Sequence, residues 1–164
     1  MATPTKRFAY YRLIDRISLK NCPFPDQAAQ LQRLLNRYPN CTHIGIDKTG
    51  PGLGVFDLVR QFYPSAEGIH YSPEQKNSLV LKLKNLITQR RVRFDSDLQE
   101  LILACMSIKQ VWSGSQVTFK ADRTVAAGHA DIAWALMHAL TPAHLTLPGQ
   151  DAPEQHTESF CEIG

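Results

Sequence analysis

Two aspartates occupy positions where an α/β protein commonly places reactive side chains. Asp47 follows residues 42–46, which predict a short buried strand, and Asp131 lies in the first turn of a strongly helical stretch. The carboxyl end of a strand is where open α/β folds bind their ligands. Two carboxylates offer the oxygen ligands that Mg²⁺ and Mn²⁺ prefer, with coordination positions left for phosphate and water. The pair suits a divalent metal site, although Asp131 taken alone is explained by the helix dipole.

Three glycines, Gly50, Gly52 and Gly54, follow the first of these acids closely. Glycines at such a joint let the backbone turn tightly and let a ligand or phosphate approach it. The run matches neither GxxxxGK[ST] nor GxGxxG, and no acid about 20 residues later is placed to bind a ribose. Nucleotide binding is therefore disfavoured. Two interpretations stay open, a ligand site beside Asp47 or a joint that only turns the chain.

The most basic segment contains no acid between Gln75 and Phe94. Its first part is predicted to be a helix over residues 73–89, with Ser72 as the cap. The basic residues on its polar side and just beyond its end are Lys76, Lys82, Lys84, Arg90, Arg91 and Arg93. Such a cluster suits contact with a phosphate backbone, and the net charge of +3 is compatible with an anionic partner. A solvated helix face explains the same pattern.

Strands and helices alternate along the remainder of the chain, which predicts an α/β sandwich with a mixed sheet. The predicted elements are a strand over 8–19, a helix over 27–38 capped by Asp26, a helix marked by Val55 to Phe62, a strand over 68–71, a helix capped by Asp95 or Ser96, a hairpin of 109–112 with 116–120, and a helix over 129–140. We expect one domain over residues 7–141, a disordered start at 1–6 and a mobile acidic tail at 142–164.

Composition narrows the class of protein. The chain has 164 residues, of which 43% are hydrophobic, and no apolar run long enough to span a bilayer. Its four cysteines form no CxxC pair, which indicates free thiols in a reducing compartment and not a zinc site. The histidines His43, His70 and His138 are interpreted as packed or surface residues.

Four blocks of sequence, in the same order, resemble the nuclease part of phage terminase large subunits, the ATPase–nuclease motors that package DNA in tailed bacteriophages. The blocks are IGIDKTGPGLGVFDLVRQFYP from residue 44, GIHYSP from residue 68, RFD from residue 93 and GHADIAWAL from residue 128. The blocks resemble those of the P2-type packaging proteins in particular. The resemblance implies an RNase H-like fold, a mixed sheet flanked by helices. It implies that Asp47 corresponds to the family's second metal-binding acid and Asp131 to its third.

The chain departs from this family at its beginning. The family's first catalytic aspartate lies on a strand upstream of the strand that is predicted here from residue 8. We therefore expect a fold that is N-terminally incomplete, without the first two strands and the ATPase domain. Such a chain is a piece of a longer protein or a shortened prophage gene product. An open strand edge invites pairing, so a second copy could supply a strand and make a homo-oligomer.

The resemblance implies a metal-dependent endonuclease, with Mg²⁺ or Mn²⁺ as cofactor, that cuts double-stranded DNA in the cytoplasm of a bacterial host. Its implied partners are the terminase small subunit and the portal, with no membrane. Because one acid of three is missing, we expect this fragment to be weakly active or inactive. The alternatives are a non-catalytic DNA-binding or assembly remnant of a prophage terminase, and a small-molecule-binding α/β domain that uses the glycine loop.

Overall fold

A computed structural model of the chain describes residues 10–121 and 130–145 and the backbone of residues 158–159. Helices alternate with short strands in these residues. The helices are α1 (Phe24–Arg37), α2 (Gly52–Phe62), α3 (Pro73–Thr88), α4 (Gln99–Ser107) and α5 (Asp131–Ala139). The strands are β1 (Tyr11–Arg12), β2 (Cys41–His43), β3 (Gly45–Asp47), β4 (Glu67–Ile69), β5 (Val92–Arg93), β6 (Ile108–Ser113), β7 (Gln116–Ala121) and β8 (Glu158–Ser159).

The described strands form four two-stranded pairs. Three are parallel, β1 with β5, β2 with β8 and β3 with β4, and β6 with β7 is an antiparallel hairpin. Parallel and antiparallel pairs flanked by helices confirm the mixed α/β class. The hairpin is also confirmed, with Gly114 in its turn at φ 62°. Strands of two or three residues make few ladder bonds, so the helices provide most of the packing that holds the pairs together.

The predicted strand over residues 8–19 is wrong beyond β1. The alternation behind it is nevertheless real, because every second side chain from residue 11 to residue 19 is half-buried. Past Leu13, whose backbone N–H still donates to the carbonyl of Arg93 at 2.9 Å, this segment pairs with no strand of the described ranges. Asp15 faces inward, where it accepts hydrogen bonds from Arg37 Nη1 at 3.2 Å and Tyr38 Oη at 3.3 Å. These contacts hold Asp15 against α1.

Two of the predicted helix caps differ from the observed ones. The cap of α3 is confirmed, because the backbone N–H of Gln75 donates to Ser72 Oγ at 3.1 Å. The predicted cap of α1 by Asp26 is wrong, because this helix begins at Phe24, directly after Pro23. Pro25 lies in the first turn, where a fixed φ and a missing N–H suit a helix start. Asp26 lies instead in the first turn, where its charge complements the helix dipole.

The predicted cap of α4 by Asp95 or Ser96 is wrong. The helix begins later, at Gln99, and no side chain caps it. The backbone forms a turn first, with the N–H of Leu98 bonded to the carbonyl of Asp95 at 3.1 Å. Backbone carbonyls therefore satisfy donors that a cap would have taken.

Two hydrophobic clusters make up the described core. The first joins α3, α4 and α5 through residues that include Leu79, Leu83, Leu86, Leu101 and Leu136. The second joins α1 and α2 to β3 through residues that include Leu31, Leu34, Ile44, Ile46 and Val59. The clusters meet where α5 packs against β3.

The predicted disordered start lies outside the described residues, and so does most of the predicted acidic tail. Residues 158–159 of that tail pair in parallel with β2. Cys22, Cys41 and Cys105 are free thiols as predicted, and Cys161 lies outside the described residues. No helix in the described ranges is long and apolar enough to cross a membrane.

His43 connects the two hydrophobic clusters through hydrogen bonds to the end of α5. Its Nε2 lies 3.2 Å from the carbonyl oxygen of His138 and 2.7 Å from Thr141 Oγ1. Burial lowers the pKa of His43, because the imidazolium would lose its water. The Glu67 carboxylate, 3.8 Å from Nδ1, opposes this only in part.

We expect the free energy of unfolding to fall as the pH drops below the ordinary histidine pKa of about 6.5. The pKa of His43 is lower in the folded chain, so the unfolded chain takes up the proton first. Stability is therefore complete above this pH and is lost as the pH falls through the folded pKa. Urea unfolding between pH 8 and pH 5.5 measures this slope. His43→Gln should flatten it, and the same change at the exposed His70 should not. An unchanged slope in His43→Gln would refute the assignment.

Candidate metal-binding site

Asp47 is the last residue of β3 and is held by the loop that follows it. Ile44 and Ile46 anchor the strand in the core, with 2% and 1% of their surface exposed. Asp47 is half-buried, and its Oδ1 accepts a hydrogen bond of 2.7 Å from the backbone N–H of Thr49. The carboxylate therefore has a defined orientation at the carboxyl end of the strand, and it remains accessible.

The glycine loop brings the backbone back against this acid. A Cβ added at Gly52 would lie 1.8 Å from the carbonyl oxygen of Asp47, a distance that no side chain tolerates. Gly50 has a φ of 64°, which L-residues rarely adopt, and a Cβ at Gly54 would lie 2.7 Å from the ring of Phe24. Contacts within the chain thus account for the glycines without a bound nucleotide. The loop is part of what positions Asp47.

Asp131 is the first residue of α5, and its side chain is exposed. Two buried neighbours fix the start of the helix, since Ala130 and Ala133 expose 2% and 0% of their surface. The carboxylate therefore faces solvent from a rigid position.

Contacts along α5 show that the helix runs antiparallel to β3. Near the end of α5, Thr141 lies against His43, which precedes β3. One turn earlier, the Cβ of His138 lies 3.3 Å from the place a Cβ would take on Gly45, the first residue of β3. The beginning of α5 must therefore lie toward the end of β3, the end that carries Asp47.

Tyr71 makes further contacts between the segment after β3 and α5, on the side of the two acids. Its backbone N–H donates to Thr49 Oγ1 at 3.1 Å, in the loop after Asp47. Its ring lies 5.2 Å, centroid to centroid, from that of Trp134, one turn after Asp131. Tyr71 thus touches both the loop that follows one acid and the helix turn that follows the other.

The oxygen donors at this end of the molecule suit Mg²⁺ or Mn²⁺, which bind proteins through one or two carboxylates and complete their shell with water and phosphate. In the part of the chain that the structure describes, no group of three or more His, Cys, Asp or Glu side chains comes together to hold a metal. Asp15 lies against α1 through Arg37 and Tyr38.

Two of the six basic residues have their cationic groups turned to backbone carbonyls. Lys82 donates to the carbonyl of Thr141, and burial lowers its pKa. Arg91 is 5% exposed and donates to the carbonyl of His144 at 2.7 Å. The chain reversal after α3 explains this placement, because Arg90 has a φ of 57° and the N–H of Arg91 bonds back to the carbonyl of Leu86 at 2.9 Å.

The remaining four basic residues are more accessible. The Lys76 ammonium lies 5.2 Å from the Tyr71 ring centroid and 5.9 Å from that of Trp134. This places it at the acid end of the molecule, by which we mean the end of β3 and the start of α5. Arg90 is exposed, and Arg93 stacks on Tyr10 with its Cζ 4.1 Å from the ring centroid. Lys84 is also exposed, and it borders an apolar cavity of about 210 Å³ between α3, α4 and α5. The predicted basic face is therefore divided among surface, stacking and interior positions.

Sequence reasoning did not identify Thr49, Tyr71, Trp134 or His138 as part of this site. Tyr71 lies in the GIHYSP block and Trp134 in the GHADIAWAL block, so the resemblance contained a signal for both. His138 is fully buried, as expected of a packed histidine, and its Nε2 is also hydrogen-bonded to Tyr71 Oη at 2.8 Å. That contact joins residues far apart in sequence, and no local pattern predicts it.

Comparison with known proteins gives concordant matches. The family described as the terminase RNaseH-like domain matches residues 1–142. The chain is 40% identical over 148 residues to the terminase ATPase subunit of Escherichia phage P2, covering 89% of this chain and 25% of that protein. It is 34% identical over 149 residues to the probable terminase ATPase subunit of Haemophilus phage HP1, covering 89% and 24% respectively. The chain thus spans about a quarter of the length of these relatives.

The fold is also similar to that in a crystal structure of the large terminase nuclease from thermophilic phage G20c with bound cobalt. The TM-score is 0.61 at 20% identity, and the match covers 74% of this chain and 63% of the other. At this identity the likeness supports the RNase H-like fold that the sequence predicted.

Alanine at Gly52 should destabilise the chain far more than alanine at Gly50. Alanine at Gly50 meets open space and carries only the cost of a positive φ, about 1–2 kcal/mol. Alanine at Gly52 would collide with the Asp47 carbonyl, at a cost of about 3 kcal/mol or complete loss of folding. Urea unfolding compares the two. Gly114→Ala is the control, since it has a similar φ of 62° in the distant hairpin. Equal losses at Gly50 and Gly52 would contradict the close approach.

Proposed function

The chain belongs to the terminase RNase H-like domain family, and from that membership we propose that it is the metal-dependent endonuclease part of a phage DNA-packaging terminase large subunit. The observation that supports the proposal most is the antiparallel packing of α5 on β3. It brings the end of β3, which carries Asp47, toward the start of α5, which carries Asp131. Two carboxylates from separate elements, on an accessible edge, are what a divalent site for phosphodiester chemistry needs.

In this proposal the substrate is double-stranded DNA and the cofactor is Mg²⁺ or Mn²⁺, held by Asp47 and Asp131. When bound, such an ion supplies Lewis-acid stabilisation of the charge that develops at the phosphate. The protein's own part is to fix the ligands. The N–H of Thr49 orients Asp47, and the rigid start of α5 presents Asp131. Two acids balance the charge of a metal centre less well than three, so we expect weak or no cleavage by this chain alone.

The Lys76 ammonium is the cation best placed to receive a phosphate. It lies over two aromatic rings, which keep it near the acid end, and a cation held in this way loses little freedom on binding. Lys84 on α3 and Arg90 just after it are also exposed, and the proposed contact includes both. Lys82 and Arg91 are left out of the proposed contact, because their charged groups already bind carbonyl oxygens.

The curated relatives are about four times as long as this chain, so the partners of a whole terminase are part of the proposal only. These partners are the terminase small subunit and the portal. A non-catalytic assembly role is the second candidate function. It is favoured by large apolar side chains that α4 and β6 expose, namely Leu103 at 53%, Met106 at 72% and Trp112 at 74%. Exposed apolar groups of this kind often mark protein contacts.

Metal binding should depend on both acids. We expect Asp47→Asn and Asp131→Asn each to weaken Mn²⁺ binding by more than about tenfold. Replacing a residue that only hydrogen-bonds a metal ligand already causes a loss of roughly that size. Isothermal titration with Mn²⁺ measures the affinity. Asp57→Asn, at an exposed acid of α2, is the matched control and should bind as the wild type does. Equal affinity in all four proteins would remove the proposed site.

Cleavage is tested separately, by plasmid nicking in Mn²⁺. We expect little product from the chain alone. Robust cleavage that Asp47→Ala abolishes would show that two acids suffice and would contradict the expected weak activity. Binding of DNA without cleavage, unaffected by Asp131→Asn except in affinity, would favour the second candidate function.

DNA binding should weaken and become less salt-dependent when Lys76, Lys84 or Arg90 is replaced by alanine. Removing one cation that neutralises a phosphate lowers the slope of log affinity against log salt by about 0.9. Fluorescence anisotropy of a labelled duplex at several salt concentrations measures the slope. Arg33→Ala, an equal reduction of charge on the exposed face of α1, should leave it unchanged. A change of slope as large in Arg33→Ala would show that only net charge matters.

A further inference from the structure

We propose that Tyr71 is a positioning residue that holds the two acids of the site at a fixed separation, with the buried His138 as its anchor. The inference rests on the proposed function and adds to it a residue that contacts neither metal nor substrate. Tyr71 acts through three groups that it touches at once: the loop after Asp47, the interior of α5, and the first turns of α5 after Asp131.

The first contact fixes the Asp47 loop. The backbone N–H of Tyr71 donates to Thr49 Oγ1 at 3.1 Å, and the backbone N–H of Thr49 donates to Asp47 Oδ1 at 2.7 Å. A displacement of Tyr71 is thus transmitted through one residue to the carboxylate. Thr49 is exposed, so water competes for its hydroxyl, and the bond needs a rigid donor to persist.

The second contact supplies that rigidity. The hydroxyl of Tyr71 is hydrogen-bonded to His138 Nε2 at 2.8 Å, and the side chain of His138 is fully buried. His138 cannot shift easily, because its Cβ packs against Gly45 and its carbonyl oxygen accepts hydrogen bonds from His43 and Thr141. A buried polar group joined in this way is costly to move.

The third contact reaches the other acid. The ring of Tyr71 packs on Trp134 with centroids 5.2 Å apart, and Trp134 lies on the first turns of α5, three residues after Asp131. The Lys76 ammonium lies over both rings. One side chain therefore relates the β3 loop, the α5 start and the nearest cation to one another. Hydrogen-bonded partners behind metal ligands commonly change metal affinity by about 10–100-fold when they are removed.

Tyr71→Phe isolates the hydroxyl, because it keeps the ring against Trp134 and under Lys76. Tyr63→Phe is the matched control: Tyr63 is equally half-buried, and its hydroxyl donates to the Cys41 carbonyl at 3.3 Å, away from the acids. A second pair tests the loop contact. Thr49→Val removes the acceptor for the Tyr71 N–H, and Thr49→Ser restores it. Melting temperature, Mn²⁺ affinity by titration calorimetry, and backbone amide NMR signals of residues 47–50 are measured for every protein.

The expected result is that Tyr71→Phe weakens Mn²⁺ binding about tenfold while it remains folded at the temperature of the titration, and that Tyr63→Phe binds as the wild type does. Thr49→Val should weaken binding in the same direction, and Thr49→Ser should recover it. The amide signals of residues 47–50 should shift or broaden in Tyr71→Phe and stay unchanged in Tyr63→Phe. Equal Mn²⁺ affinity in Tyr71→Phe and Tyr63→Phe would overturn the inference.

The two proposals fail in distinguishable ways. If the wild type shows no Mn²⁺ binding that Asp47→Asn removes, the proposed function is overturned. The amide signals then decide the positioning role alone. Unchanged signals at residues 47–50 in Tyr71→Phe overturn it, and selective changes there, absent in Tyr63→Phe, support it.

Discussion

The close packing of α5 against β3 is the contact on which the rest of the structure depends. It is possible because β3 begins with Gly45, where a Cβ would lie only 3.3 Å from the Cβ of His138. The buried face of α5 uses small side chains, with Ala133, Ala135 and Ala139 exposing 0–5% of their surface. Protein interiors pack too tightly to absorb added volume without movement. A larger residue at this contact would separate the helix from the strand, and with them the two acids.

Asp47 and Asp131 each lie next to a different hydrophobic cluster. Asp47 extends from the cluster that contains Ile44 and Ile46, and Asp131 extends from the cluster that contains Ala130 and Ala133. Neither cluster alone could fix the distance between the carboxylates. That distance depends on how the two clusters are joined. The joining contacts include the hydrogen bonds that His43 and Tyr71 make to His138 and the pairing of β3 with β4. A binding site at a junction of this kind is sensitive to changes that barely affect either core.

The basic segment shows how one residue type serves several roles. Lys76 lies over two rings at the acid end, whereas Lys82, six residues later, donates to a carbonyl near the other end of α5. Arg90 faces water while the adjacent Arg91 is buried, because the left-handed residue that ends α3 turns the chain inward. A count of cations therefore overstates the surface that DNA could use. Helix position and chain reversal decide which charges remain available.

The sequence alone determined the features that neighbouring residues control. These include the Ser72 cap, the hairpin turn at Gly114, the alternation over residues 11–19 and, through four blocks of resemblance, the RNase H-like class. It proposed Asp47 and Asp131 as a pair, and that pairing remains a prediction. Only the tertiary structure decided the direction of α5, the burial of Arg91 and the bond between Tyr71 and His138. Local periodicity carries no information on such contacts, since they join residues that meet only when both clusters have packed.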